Sequence, residues 1–182
     1  TGRILGAQAI GKGNADKRVD VIATLITMGG TIEDLKDLEL SYSPMYSTAK
    51  DVVNMAALVA NNVMAGRFRQ VHASAVRDLV ESGAYFVDVR EENEFANGHI
   101  KGAVNIPLSQ LRERMSEIPK DKPVYVHCRS AQRSYNAVMA LQGSGWDNVV
   151  NVSGSFLGIC LYEYFTDVQT GREPIVTAYN FK

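Results

Sequence analysis

Short apolar runs alternate with helical patterns through the second half of the chain, and that alternation limits the fold more than any other feature. Residues 85–89, 105–108, 123–127 and 149–152 read as strands or short extended pieces. Between them lie helical spacings. One helix opens at Ser74 with Val76, Leu79 and Val80 inward and ends at Gly83. A second is capped by Ser109 and runs to about Met115, a third covers 133–142, and a fourth covers roughly 155–165. Strands that are each followed by a helix cannot pair as hairpins, so the expectation is a parallel sheet with helices on both faces. Residues 67–70 read as a polar junction, 90–98 as a charged turn, and 171–182 as a tail rich in turn signals.

A parallel sheet presents its functional edge at the carboxyl ends of its strands. Cys128 stands there, directly after the 123–127 strand, and opens the run Cys128-Arg129-Ser130-Ala131-Gln132-Arg133 ahead of a helix. Helix N-terminal N–H groups and two arginines within one turn favour a sulfur anion and lower the thiol pKa, which makes Cys128 a candidate nucleophile. The competing reading is a buried small apolar side chain. Cys160, among Leu157, Ile159 and Leu161, reads as a buried inert thiol, with a resolving role as the alternative. His127 precedes the cysteine on a strand and points to the opposite face, while His99 lies in a turn and satisfies backbone groups. Asp88 and Arg90 end the neighbouring strand. They either support the loop or form a salt bridge that fixes the strand end.

Composition excludes several classes. The 182 residues carry 19 basic and 20 acidic side chains, a net charge of -1, so nothing electrostatic favours nucleic acid or an anionic membrane surface. Apolar runs are interrupted well short of the ~20 residues of a membrane helix. Two cysteines far apart, with no leader pattern, suit a reducing cytoplasm, and no Cys/His cluster has metal spacing.

The first 66 residues are organised differently. Ile4, Leu5, Ala7, Ala9 and Ile10 follow Thr1-Gly2-Arg3 as a turn leading into a largely buried strand. Val19, Ile22, Ala23 and Ile26 make a helix that ends at Gly29-Gly30, and Thr31 caps a short helix carrying Leu35 and Leu38. After a break at 41–44, Val52, Ala56, Val59 and Val63 form the apolar stripe of a further helix that frays near Gly66. One strand cannot cover two amphipathic helices, so this segment is expected to be part of a longer chain.

The string Val87-Asp88-Val89-Arg90-Glu91, Glu94-Phe95 and Gly98-His99-Ile100-Lys101-Gly102-Ala103-Val104-Asn105-Ile106-Pro107-Leu108, followed by the Cys128 loop, resembles a rhodanese-like domain. Gly2-Arg3-Ile4-Leu5-Gly6-Ala7-Gln8, Lys17-Arg18-Val19-Asp20 and the segments 41–44 and 51–55 resemble the dimerisation domain of the pyridine nucleotide-disulfide oxidoreductases, in particular coenzyme A disulfide reductases and their persulfide-reductase relatives. Some of these carry a rhodanese-like domain behind the dimerisation domain. The resemblance implies an α/β, three-layer rhodanese-like domain over 72–170, preceded by an incomplete α+β dimerisation domain over 1–66 and a linker over 67–71, and followed by a tail over 171–182. Two departures stand out: Gly154-Ser155-Phe156-Leu157 replaces the usual Gly-Gly, and no tryptophan follows Trp146.

On this resemblance Cys128 takes a sulfane sulfur from a persulfide, polysulfide or thiosulfonate and passes it to a thiol, with Arg129, Ser130, Ala131, Gln132 and Arg133 binding the substrate. The full-length protein would use FAD, NAD(P)H and coenzyme A and form a homodimer, with the flavin and nicotinamide segments preceding Thr1. Tyr42 and Tyr46 would contact coenzyme A or pack at the dimer interface. Phosphatase relatives of the fold use a cysteine loop one residue longer, and a non-catalytic scaffold is the other reading left open.

Overall fold

The computed structural model describes residues 2–181; Thr1, expected in the opening turn, and Lys182, expected in the tail, lie outside the described residues. The chain separates between Arg67 and Phe68 into two compact units.

In the first unit, α1 (Ala15–Thr27), α2 (Ile32–Asp37) and α3 (Val52–Met64) pack around Leu35, Val53 and Ala57, with Val21, Ile22 and Leu25 of α1 half-buried against them. Thr31 caps α2 through a reciprocal box with Asp34, and Asp51 caps α3 while pairing with Arg18. The buried amide of Asn54 donates to the carbonyls of Leu35, Lys36 and Leu38 at 3.2, 3.3 and 3.1 Å, satisfying the otherwise open end of α2.

The expected strand over residues 4–10 does not form. Arg3 makes a single antiparallel bridge to Thr31, and Leu5 and Ile10 are exposed, because no strand exists among the described residues of this unit to complete a ladder. The unit is therefore helical rather than α+β. The stripe expected to face inward on α3 faces outward: Val52, Val59 and Val63 are exposed, and Val53, Asn54 and Ala57 are buried. A helix apolar on both sides leaves its orientation undecided by periodicity alone.

The second unit is built on a five-stranded, wholly parallel sheet. Its strands are β1 (Arg69–Val71), β2 (Tyr85–Asp88), β3 (Val104–Asn105), β4 (Val124–His127) and β5 (Val149–Val152), in the order β1-β5-β4-β2-β3. Side chains alternate across it. Val87, Val124, Val126, Cys128 and Val149 face a cluster containing Leu111, Ala137, Val138 and Leu141, supplied by α6 (Leu111–Arg114) and α7 (Gln132–Gly143). Phe86, Tyr125 and Val152 face the other way, onto Val76 and Leu79 of α4 (Val76–Glu81) and Phe156, Ile159 and Cys160 of α8 (Ser155–Thr170). Three layers result.

Several local expectations change. Residues 69–71, taken as junction and linker, form β1 on β5, an edge strand too short and polar to announce itself. The charged stretch after Arg90 holds α5 (Glu92–Ala96), started by a capping box between Glu91 and Glu94. Ser109 caps nothing; Gln110 precedes α6, which continues as a 3₁₀ turn over Met115–Glu117. Helix α8 extends to Thr170. The terminal segment is not loose: Ile175 and Val176 are buried, and Ile100 bridges Val176. Gly98 permits this approach, since its φ is 135° and any Cβ there would lie 2.5 Å from the Ala178 carbonyl oxygen. Buried Glu163 and Asp167 of α8 gather Arg77, Arg172 and the Tyr179 hydroxyl around them, tying α4, α8 and the terminal segment together.

Asp88 and Arg90 form an ion pair sealed from solvent. The Arg90 guanidinium donates to Asp88 at 2.6 and 3.0 Å and to the Gly98 carbonyl at 2.7 Å, and sits 4.1 Å from the centre of the Phe156 ring. Removing one partner strands a buried charge. Asp88→Ala is expected to lower unfolding free energy by about 3–5 kcal/mol, measured by urea denaturation; a loss under ~1 kcal/mol would mean that the pair holds nothing.

Candidate active site

The loop from Cys128 to Ala131 leaves the end of β4 and enters α7 through a left-handed turn at Ala131, φ 78°. A non-glycine residue pays roughly 1 kcal/mol for that conformation. The turn folds the chain back over the sulfur. Helix α8 begins beside it, and its first N–H groups are taken up by the loop: Phe156 N–H donates to the Cys128 carbonyl at 3.0 Å, and Leu157 N–H to the Arg129 carbonyl at 3.1 Å. The N-termini of two helices thus meet at Cys128.

Cys128 is 1% exposed and packs among Val89, Val126 and their neighbours. Burial pushes its thiol upward, yet the backbone N–H and hydroxyl of Ser134, the N–H of Ser130 and the hydroxyl of Ser155 outweigh burial and bring the pKa below its ordinary value. The sequence puts the donors in the N–H groups of Arg129 to Arg133; Ser130 lies in that run, but two of the residues involved lie outside it. Ser134 follows Arg133, and Ser155 comes from α8. Ser134 Oγ is itself held by the Asn151 side chain at 2.7 Å and the Ala131 carbonyl at 3.2 Å.

The two loop arginines each have a partner within the domain. Arg133 forms a bidentate pair with Glu94 at 2.6 and 2.8 Å, which, reinforced by the nearby Cys128 charge, holds its guanidinium firmly protonated. Arg129 donates to the Asn180 carbonyl at 3.1 Å. Gln132, the first residue of α7, and Ser130 are exposed, and Ala131 supplies the turn. Glu94 was legible as part of a family motif; nothing in the sequence marked it as the partner of Arg133.

Asp88 and Arg90 lie on the other face of the sheet from Cys128, against Phe156, and serve as the structural pair described above. His127 lies there too, fully buried, 3.8 Å from Asp88, with a pKa depressed chiefly by burial and neither ring nitrogen hydrogen-bonded among the described residues. His99 stacks on Phe95, and its Nδ1 lies 2.9 Å from the Phe95 carbonyl. Cys160 belongs to the opposite cluster, where burial pushes its thiol up. No group of three metal-ligating side chains occurs among the described residues, and no helix there is long and apolar enough to cross a membrane. In the first unit, exposed Tyr42 and Tyr46 line a shallow cavity of about 260 Å³ with Asn14, Lys17 and Arg18.

The rhodanese-like domain family model matches residues 72–161. The chain belongs to the rhodanese-like domain family. It is 42% identical over 71 residues to a sulfurtransferase of Allochromatium vinosum, a match covering 39% of this chain and 66% of that protein. Two solved structures are similar over more of its length. The reduced CoADR-RHD of Bacillus anthracis is 48% identical with a TM-score of 0.74, covering 78% of this chain and 25% of that one. An NAD-dependent persulfide reductase from A. fulgidus is 36% identical with a TM-score of 0.70, covering 80% of this chain and 26% of that one. The chain thus spans about a quarter of the length of both and just under two thirds of the sulfurtransferase. Within the rhodanese-like domain, α7 is the helix that carries the cysteine loop, and Glu94 is its link to α5.

Arg133 and its hydrogen bonds lower the Glu94 pKa more than burial raises it, so the pair stabilises the fold above the ordinary carboxylate value of 4.5 and ceases to do so as pH falls through the depressed native value. Both side chains are about a third exposed, which limits the effect to ~1 kcal/mol. In urea unfolding the native chain should exceed Glu94→Gln by up to that amount at pH 7, with the gap closing on acidification below 4.5. A gap independent of pH would refute the ion pair.

Proposed function

We propose that this rhodanese-like domain transfers sulfane sulfur through a persulfide on Cys128, as the C-terminal part of an FAD- and NAD(P)H-dependent coenzyme A-disulfide or persulfide reductase. The observation that carries the reading is the place of Cys128 Sγ, where the N-termini of α7 and α8 meet and the Ser155 hydroxyl lies 3.9 Å away, with hydrogen bonding from Ser130 and Ser134 lowering the cost of a sulfur anion. In the first step the thiolate attacks the outer sulfur of a donor R–S–SH. The Cys128 Sγ–S bond forms, the donor's S–S bond breaks, and R–S⁻ leaves with the electron pair. In the second, an acceptor thiolate attacks the outer sulfur of Cys128–S–SH, taking it as a new persulfide and restoring the Cys128 thiolate. One difficult transfer becomes two easier ones. The amide cup serves both, because negative charge returns to Sγ at the end of each cycle.

The reductase context draws on the likeness to the CoADR-RHD and the persulfide reductase. Each match covers more of this chain than the second unit contains, so the likeness reaches into the first. In this reading FAD and NAD(P)H supply the electrons that reduce a persulfide to thiol and sulfide. In the same reading the Gly-rich segments that would bind them belong to the reductase part. Coenzyme A fits better. The Tyr42 and Tyr46 rings and the Lys17 ammonium at their cavity suit a long chain with phosphates, while Arg18 is committed to Asp51. A second copy of the chain would cover Val52, Met55, Val59 and Val63, the outward apolar face of α3.

The chain incubated with a sulfane donor and freed of excess reagent should gain one sulfur, about 32 Da, on the peptide containing Cys128, and thiol should release it. Cys128→Ser should gain none. Persistent sulfur transfer by that variant would defeat the reading.

A further inference from the structure

Ser155 has a backbone suited to glycine: φ is 48°, in the left-handed region, directly after Gly154 at 77°. A chain that keeps a side chain at such a position bears strain that glycine would relieve. The serine is also completely buried, so it is not there for contact with water.

Its hydroxyl is fully engaged around the sulfur. Oγ accepts the Cys128 N–H at 3.1 Å, donates to the Val152 carbonyl at 3.1 Å, and lies 3.9 Å from Cys128 Sγ and 3.4 Å from Ser134 Oγ. One proton therefore has three acceptors within reach. A hydroxyl hydrogen rotates freely about its C–O bond, and a charged acceptor outcompetes a neutral one. With a neutral thiol, the Val152 carbonyl is the better acceptor. With a thiolate, the sulfur is.

We propose that Ser155 is a switchable donor to the reacting sulfur, its proton resting on the Val152 carbonyl while Cys128 is neutral and turning onto Sγ whenever negative charge collects there. This rests on the sulfur-transfer reading, in which the Sγ anion is both the attacking and the leaving group. It adds to the fixed amides a donor that costs nothing in the neutral state, and it explains the strained serine, which packing alone does not. The hydroxyl touches the reacting atom itself, so its loss should register in the titration of Cys128 and not only in stability.

The test compares Ser155→Ala and Ser155→Gly in the full chain, labelled with ¹³C at cysteine Cβ, so that Cys128 and Cys160 titrate as separate resonances. Both variants lose the hydroxyl, and glycine alone relieves the strain. The Cys128 midpoint should rise by about one pH unit in both, with the pH at which sulfur transfer is half-maximal rising alongside it, while the glycine variant melts higher than the alanine one. Midpoints within ~0.2 unit of the native chain, or shifts that track the loss of thermal stability, would overturn the proposal. Cys128→Ser in parallel separates the two questions. If it retained transfer, the sulfur-transfer reading would fail, whereas the titration tests Ser155 whichever way that result falls.

Discussion

The second unit is organised around a negative charge that the backbone is shaped to receive. At the end of β4 the chain turns so that N–H groups from Ser130 and Ser134 face one sulfur, and the carbonyls of Cys128 and Arg129 are used to start α8. The same five or so residues thus satisfy one helix end and open another toward Sγ. Hydrogen bonds to a buried anion are stronger than the same bonds in water, and these need no rearrangement when charge appears. Desolvation works against the thiolate, and the donors outweigh it.

Keeping such a loop in shape requires rigid surroundings. Behind it, Asp88 and Arg90 lock the end of β2 to Gly98 and to the Phe156 ring, so β2, β4 and α8 meet in a fixed arrangement. In front, Glu94 holds Arg133, and the Asn180 carbonyl holds Arg129. The arginines therefore act first as struts. The positive charge of Arg133 still reaches the sulfur, but the groups that touch it are amides and hydroxyls.

Much of this was readable from residue order. Strands followed by helices imply a parallel sheet, and a cysteine directly after a buried strand falls at the sheet's carboxyl edge. What escaped did so for physical reasons. β1 is three residues at an edge, where alternation has no length in which to appear. α5 is an acidic run whose helical start depends on a Glu91–Glu94 capping box, which charge content disguises as a turn. The outward face of α3 is as apolar as its inward face, so the stripe alone selected the wrong side. The strand expected over 4–10 had the composition but no partner. In the site, Cys128 and its loop were legible because their spacing is local. Glu94, Asn180 and Ser155 lie 39, 51 and 27 residues from their loop partners, beyond the reach of any local pattern.

The central claim is that the fold, and not the reagent or the partner, lowers the cost of ionising Cys128. The direct measurement is the ionisation midpoint of each cysteine in the native chain, read from its ¹³Cβ chemical shift across pH. Cys128 should titrate below the ~8.5 of a free thiol and Cys160 above it, the two moving in opposite directions in one sample. A Cys128 midpoint at or above the free value would contradict the account.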